Sequence, residues 1–184
     1  MKFVIKNMVC SHCIAAVRTI LISCGYAIRS INLGDVEIEE DLSDEQKKDL
    51  NRRMKEAGFE ILDDPRSQLV EQLRVAIQAW SRMQGARPKI SDYLSSQFCR
   101  DYSMLSKLFT QVKGITIEKY SILHRIEYAK ELLCYNQMTI SEIAYTLDYS
   151  SPAHFSKSFK ETTGMSPKQF REQNFHDRKM LTDL

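Results

Sequence analysis

The sequence predicts an α+β chain built in two parts. An N-terminal ferredoxin-like βαββαβ domain spans residues 1–63, and an all-α domain with two helix-turn-helix units spans 64–184. Three observations predict it. The segment Ile140–Phe170 lies over Ile90–Tyr120 at a fixed offset of 50 residues without a gap, which marks one supersecondary unit used twice. The first 62 or so residues carry short apolar runs and two amphipathic helix patterns in the order strand, helix, strand, strand, helix, strand. Charge also changes sign along the chain: residues 1–64 hold 9 Lys+Arg against 12 Asp+Glu, net −3, whereas 65–184 hold 17 against 12, net +5.

Lys2–Lys6 reads as a short strand alternating polar and apolar side chains. After the loop Met8-Val9-Cys10-Ser11-His12-Cys13, residues Ile14, Val17, Ile20, Leu21 and Cys24 form one helical face, which Gly25 ends. Ala27–Leu33 and Val36–Glu40 are strands joined at Gly34-Asp35, with Val36 and Ile38 inward. Ser43 and Gln46 form a capping box for a helix reaching about Ala57, buried through Leu50 and Met54. Gly58 closes it, and Phe59–Leu62 is the last strand.

Cys10 and Cys13 fall where a loop enters a helix. The positive end of a helix favours thiolate, and thiolates prefer soft metals such as Cu(I). The head resembles the heavy-metal-associated domain of copper chaperones and metal-pumping ATPases, through Met8-x-Cys10-x-x-Cys13 and the late Ala57-Gly58-Phe59. The resemblance implies that Cys10 and Cys13 are the metal ligands, with Cu(I) the expected ion and Ag(I), Zn(II) or Hg(II) as alternatives. It also implies that Met8 packs in the core. The chain departs from that family at Gly25-Tyr26, where Gly-Val is usual, and matches only loosely over Arg29–Glu40. His12 is read as solvent-facing, and Phe59 as either core or a shield for the loop. Cys24 lies about 16 Å along the helix from Cys13, too far to share the site. Cys24, Cys99 and Cys134 are expected in cores.

Asp63-Asp64-Pro65 joins the parts, with Asp64 as N-cap and Pro65 as first helical residue, too short and stiff for the parts to tumble independently. The helix then runs to about Gln84, with Leu69, Leu73, Ala76, Ile77, Trp80 and Met83 inward, and Gly85-Ala86-Arg87-Pro88 breaks it. In the first unit, the second helix buries Leu105, Leu108, Phe109 and Val112 and turns Ser103, Ser106, Lys107 and Gln111 outward. Thr116 caps a long helix to about Tyr135. In the second unit, Thr139 and Glu142 form a capping box, Ile140, Ile143, Ala144 and Leu147 point inward, and Asp148–Ser151 is the turn. Pro152 opens a helix that buries Phe155 and Phe159, Gly164 ends it, and Ser166-Pro167 starts a last short helix. Two exposed Ser-Lys pairs beside buried faces are what a major-groove reader needs.

From about Leu69 to Gln173 the chain resembles the DNA-binding domain of AraC-type bacterial transcription regulators. Arg125, Ile126, Ala129, Leu132 and Leu133, then Ile140–Ala144, then His154-Phe155-Ser156-Lys157 with Phe159-Lys160, and Gly164–Pro167 with Phe170-Arg171 carry the resemblance. It implies base contact from Ser103, Ser106 and Lys107 in one unit and Ala153, Ser156 and Lys157 in the other. His154 and Lys160 suit phosphates. The partner it implies is double-stranded DNA, read in two successive major grooves. The family usually has Gly at the position of Asp148, and Asp tolerates the left-handed conformation better than most residues.

No apolar run approaches 18 residues and no secretory leader is read at the start, so a cytoplasmic protein with no membrane partner is expected. Five cysteines, an odd number, argue against a disulfide scaffold. No phosphate-binding Gly-rich loop, HExxH or nucleophile–base motif is present, so an enzyme is not expected; His124 and His176 are read as structural or surface. The expected function is a metal-responsive transcription regulator. Its alternative is a thiol redox regulator in which Cys10 and Cys13 close a disulfide. Two heads sharing one metal would make a homodimer, which the sequence allows without requiring.

Overall fold

The computed structural model describes residues 1–83 and 87–173. The break at Gly85-Ala86, the expected helix end at Gln84, and His176 lie outside the described residues. The chain is α+β as predicted, a small N-terminal sheet followed by helices. It divides into two compact units, Met1–Ala76 and a second beginning at Ile77.

The first unit runs β1 (Lys2–Lys6), α1 (Ser11–Ser23), β2 (Ile28–Asn32), β3 (Asp35–Ile38), α2 (Asp44–Glu56) and β4 (Glu60–Leu62), followed by most of α3 (Pro65–Ser81). The sheet order is β2-β3-β1-β4, and each neighbouring pair is antiparallel. Phe3 and Ile5 of β1 join Met8, Val17, Leu21, Val36, Ile38, Leu50 and Met54 in one core. The polar–apolar alternation expected for β1 is not what its residues do. Val4, on the opposite face and outside that core, is buried too. A strand paired on both edges and buried on both faces carries an unbroken apolar run rather than an alternating one.

The capping box at α2 forms: Ser43 N–H donates to Gln46 Oε1 at 2.9 Å, and Gln46 N–H to Ser43 Oγ at 3.3 Å. Asp44 and Glu45 in the first turn and Arg53 and Lys55 in the last complement the helix dipole. Gly34, at φ +84, joins β2 to β3, and a Cβ placed there would come within 2.9 Å of the Val75 side chain on α3. Both the backbone conformation and the space therefore demand glycine. Asp64 caps α3, accepting from Ser67 N–H at 2.8 Å, and Gln68 Nε2 donates to the Leu62 carbonyl at 2.6 Å. The buried face of α3 includes Val70, Leu73, Ala76, Ile77 and Trp80, but also Glu71, Arg74 and Ser81. Leu69 and Met83, expected inward, are only half-buried.

The second unit holds the last turn of α3, then α4 (Ile90–Phe98), α5 (Tyr102–Lys113), α6 (Ile117–Tyr135), α7 (Ile140–Thr146), α8 (Pro152–Thr163) and helical residues 167–173. The repeat is visible atom by atom. Helices α5 and α8 are both 12 residues long, with Asp101 and Ser151 as N-caps and left-handed Gly114 and Gly164 at their ends. Leu105 and Phe109 are buried where Phe155 and Phe159 are. Phe109 meets Tyr120 at 5.2 Å between ring centres, and Phe159 meets Phe170 at 5.5 Å, the same pair one repeat later. The turns differ. The first has its left-handed residue at Cys99 (φ 49), the second at Asp148 (φ 58), one position earlier in the repeat; α4 caps directly with its left-handed residue, whereas α7 has Leu147 (φ −88) in between. Cys99 is exposed at this turn rather than in a core, and Cys24 and Cys134 are half-buried. Val112, expected inward, is 47% exposed; the buried stripe of α5 ends at Phe109.

Asp148 does more than tolerate its conformation. The Arg87 side chain, 1% exposed, brings Nε to 3.6 Å from Asp148 Oδ2, an ion pair longer than a hydrogen bond. Arg87 also lies over the Trp80 ring at 5.0 Å. Burial, then the like charge of Arg125, pulls the Arg87 guanidinium below its ordinary pKa, and Asp148 opposes both. Glycine in this turn would relieve a small backbone strain but leave Arg87 without this counterion. Asp148→Asn keeps the left-handed tolerance and removes the charge. It should lower stability by about 1–2 kcal/mol, between the worth of an exposed and of a buried pair, read from urea unfolding midpoints. An unchanged midpoint would show that the pair contributes nothing.

Candidate nucleic-acid interface and cysteine loop

On α5, Ser103 and Lys107 are exposed and Ser106 is half-buried; on α8, Ala153, His154, Lys157 and Lys160 are exposed and Ser156 is half-buried. The two sets occupy equivalent positions of equivalent helices, one face of each carrying the candidates while Leu105/Phe109 and Phe155/Phe159 anchor the other. The intervening α6, 19 residues, spans about 28 Å.

Several candidates are already held by neighbours. The Ser103 hydroxyl donates to Asp101, whose carboxyl is kept below its usual pKa first by that bond and then by the Ser103 and Met104 amides. Ser106 bonds Tyr102. His154 Nδ1 lies 3.1 Å from Ser150 Oγ, with its ring edge-on to Tyr149 at 5.4 Å. Lys157 Nζ sits 4.0 Å from Glu161 Oε1. An open groove along α5 is lined by Tyr102, Ser103, Ser106, Lys107, Thr110 and Gln111. Apolar spacing gives no reason to single out Tyr102 or Thr110. Both are half-buried, and only the shape of the surface brings them to the groove. Tyr102 donates its hydroxyl to Glu118, which holds the Glu118 carboxyl low; burial first, and then Glu118, push Tyr102 up.

Cys10 is the N-cap of α1, without a side-chain cap bond, and Cys13 lies in the first turn. Their Sγ atoms are 3.6 Å apart, joined by a thiol hydrogen bond and not by a disulfide, with Cys10 exposed and Cys13 half-buried. A backbone hydrogen bond from Val9, together with contacts to Cys10, holds the Cys13 thiol below its ordinary pKa against partial burial. The approach to the pair is pinned from three sides. Asn7, left-handed at φ 73, donates its amide to the Gly58 carbonyl at 2.9 Å. Met8 is fully buried in the core. The Met8 carbonyl accepts from Arg74 Nη2 at 2.8 Å, and Arg74 Nε donates to Glu71 at 2.8 Å. Phe59 is a core residue, 7% exposed, and His12 is exposed. Cys24, at the far end of α1, packs against the same core away from the pair. Asn7 and Arg74 carry no sequence signal, since a carbonyl as partner leaves no side-chain pattern to read. His124 stacks edge-on with Tyr120 at 4.6 Å, a structural contact.

Residues 94–173 match a helix-turn-helix domain family. An uncharacterized HTH-type transcriptional regulator of Staphylococcus aureus (strain MSSA476) is 31% identical, over 50% of this chain and 16% of that protein. The HTH-type transcriptional regulator AlkR of Acinetobacter baylyi is 32% identical, over 61% of this chain and 38% of that protein. The chain thus spans well under half the length of these relatives. Among solved structures, the C-terminal domain of AraT, a response regulator from Geobacillus stearothermophilus, superposes with a TM-score of 0.52 at 27% identity, covering 60% of this chain and 88% of that one. A probable AraC family transcriptional regulator from Rhodopseudomonas palustris shares the fold at TM-score 0.50 and 20% identity, over 58% of this chain and 96% of that one. The relatives named are transcriptional regulators, not enzymes, and the matched part of this chain is a helix-turn-helix domain that shares its fold with a structure of the AraC family. Among the described residues, no helix is long and apolar enough to cross a membrane.

Two measurements test this surface. Lys107→Ala and Lys157→Ala should each weaken DNA binding. If the lysine holds a phosphate, its removal lowers the salt slope by about 1 at unchanged preference. If it holds a base, its removal costs about 1–3 kcal/mol and relaxes one position. Wild-type affinity in both variants would move the interface elsewhere. Tyr102→Phe should lower stability at neutral pH. Because Glu118 is depressed when folded, its contribution is full above the unfolded carboxylate pKa and fades as pH falls through the folded one. The gap in urea midpoint between variant and wild type should therefore close on acidification; a constant gap would assign the loss to packing alone.

Proposed function

We propose that this chain is a transcription regulator of cytoplasmic location that binds double-stranded DNA in two successive major grooves and responds to a soft metal ion, Cu(I), held by Cys10 and Cys13. The observation that carries the reading is the joining, in one chain, of a helix-turn-helix domain to a pair of thiols 3.6 Å apart at a helix N-terminus.

On DNA, Ser103, Ser106 and Lys107 of α5 and Ala153, Ser156 and Lys157 of α8 read bases, with His154 and Lys160 on phosphates. Their support is the equivalence of the two helices and their exposed faces. On metal, the reading of residues 1–63 as a ferredoxin-like, heavy-metal-associated domain is supported by the sheet order β2-β3-β1-β4 and by the cysteine pair lying between β1 and α1. A boundary at 63/64 is supported by the Asp64 cap, although the compact division falls after Ala76. Two sulfurs suit an ion content with two ligands, which favours Cu(I) or Ag(I) over Zn(II), whose structural sites take four; Hg(II) is the divalent competitor. When bound, the metal supplies a positive charge and a bond to each sulfur; Cys10 and Cys13 bind it as thiolates. Sharing of one ion by two heads would give a homodimer.

The same 3.6 Å separation supports a second reading, in which an oxidant such as peroxide takes two electrons and two protons from the thiols and a disulfide of about 2.05 Å forms. DNA binding measured by fluorescence anisotropy, during anaerobic Cu(I) titration and separately during peroxide titration, decides between them. Cys10→Ser and Cys13→Ser should each abolish tight Cu(I) binding against a competing chelator, while Cys24→Ser should leave it unchanged. Tight binding of one Cu(I) by both serine variants would remove the site from this loop.

A further inference from the structure

Arg74 is a costly residue at its place. Its side chain is 9% exposed and that of Glu71 is 3% exposed, on a helix face otherwise built from Val70, Leu73, Ala76 and Ile77. Desolvating a guanidinium and a carboxylate is expensive, and apolar residues of like volume usually serve packing as well or better. The pair does something that packing does not. Arg74 Nε is oriented by Glu71, and Nη2 reaches 66 residues back to the Met8 carbonyl at 2.8 Å. A charge-assisted bond of this kind is among the stronger ones a protein makes.

That carbonyl belongs to the peptide whose N–H is that of Val9. The peptide group is planar and trans, so its oxygen and its hydrogen point to opposite sides. Holding the oxygen fixes where the N–H points, and the Val9 N–H is bonded to the Cys13 thiol. Asn7 and the buried Met8 side chain secure the chain just before this peptide.

We propose that Arg74, presented by α3 from beyond the last strand, is a positioning residue of the cysteine loop: it clamps the Met8–Val9 peptide so that Cys13 is held ready for its ligand, and it joins the loop to α3 as one mechanical piece. This deepens the reading of Cys10 and Cys13 as metal ligands and rests on it. Ordering of the loop by Cu(I) is then felt directly by α3, whose last turn belongs to the helical unit. The route is the guanidinium rather than the short Asp63-Asp64 connection.

The test uses the full chain. Glu71→Gln with Arg74→Met removes both buried charges together at similar volume, and Arg74→Lys keeps a charge and a single donor group. Urea unfolding establishes that each variant folds. Amide hydrogen exchange of the metal-free protein is the first readout. The double variant should exchange tenfold or more faster at residues 9–13, with β3 and α2 unchanged, and the lysine variant should fall between it and wild type. Cu(I) affinity against a competing chelator is the second, with an expected loss of about 10–100-fold in the double variant. Added Cu(I) should slow exchange in α3 of wild type and not of the double variant. Wild-type exchange at 9–13 and wild-type Cu(I) affinity in the folded double variant would overturn the proposal. If wild type itself fails to bind Cu(I), the metal reading falls, and exchange at 9–13 still decides whether Arg74 clamps the loop. Should the double variant not fold, the lysine variant decides by the same exchange readout.

Discussion

Everything that helices α5 and α8 present to their surroundings depends on the burial of two side chains in each, four residues apart: Leu105 and Phe109 in one, Phe155 and Phe159 in the other. Fully burying such a side chain gives about 1.5–3 kcal/mol, far more than any exposed polar residue beside it can contribute. The anchored stripe fixes helix rotation, and rotation decides which side chains face outward. Ser106 and Lys107 stand where Ser156 and Lys157 stand because the same stripe sets both helices. Phe170 and Tyr120 complete the aromatic contacts at matching places, so the second unit repeats the core of the first as well as its surface.

Against this apolar economy the buried charges stand out. Arg74 with Glu71, and Arg87 with Asp148, each set a guanidinium into an apolar setting with a carboxylate beside it. Arg87 is shared further by Trp80, and Arg125 lies over both Trp80 and Tyr149. Such arrangements specify one geometry more than they add stability. In the helical unit the specified geometry is the turn before α8. In the sheet unit it is the segment leading to Cys10.

The legible parts of the sequence are those governed by local rules. Ser43 with Gln46 and Thr139 with Glu142 announce helix starts because capping is a short-range contact, and both boxes are present. Gly114 and Gly164 announce helix ends for the same reason. The cysteine pair is legible as a motif, and its position between β1 and α1 follows from the order of elements. What escapes is long-range. Val4 faces away from the main core, so its burial depends on what covers the second face of the sheet, which no pattern within β1 records. The buried face of α3 takes in Glu71 and Arg74, whose partners or acceptors cannot be inferred from apolar spacing. Residue type alone sends Cys99 to a core, yet it is the left-handed residue that ends α4 and lies at an exposed turn. Val112 follows the apolar period of α5 beyond the point where the neighbouring helices still cover it.

The glycine at the β2–β3 turn bears on how such a chain can be assembled from parts. Gly34 is moulded to Val75, and the Met8 carbonyl is satisfied by Arg74, so the sheet has surfaces shaped for a helix that motifs alone would assign to the next domain. A recombination breakpoint at residue 63 would separate these complementary surfaces and hand each half to a partner not shaped for it. A breakpoint beyond Ala76, where the compact division falls, would keep them together. Grafting this head onto another body should therefore carry α3 along with it, a piece longer than the strands alone define.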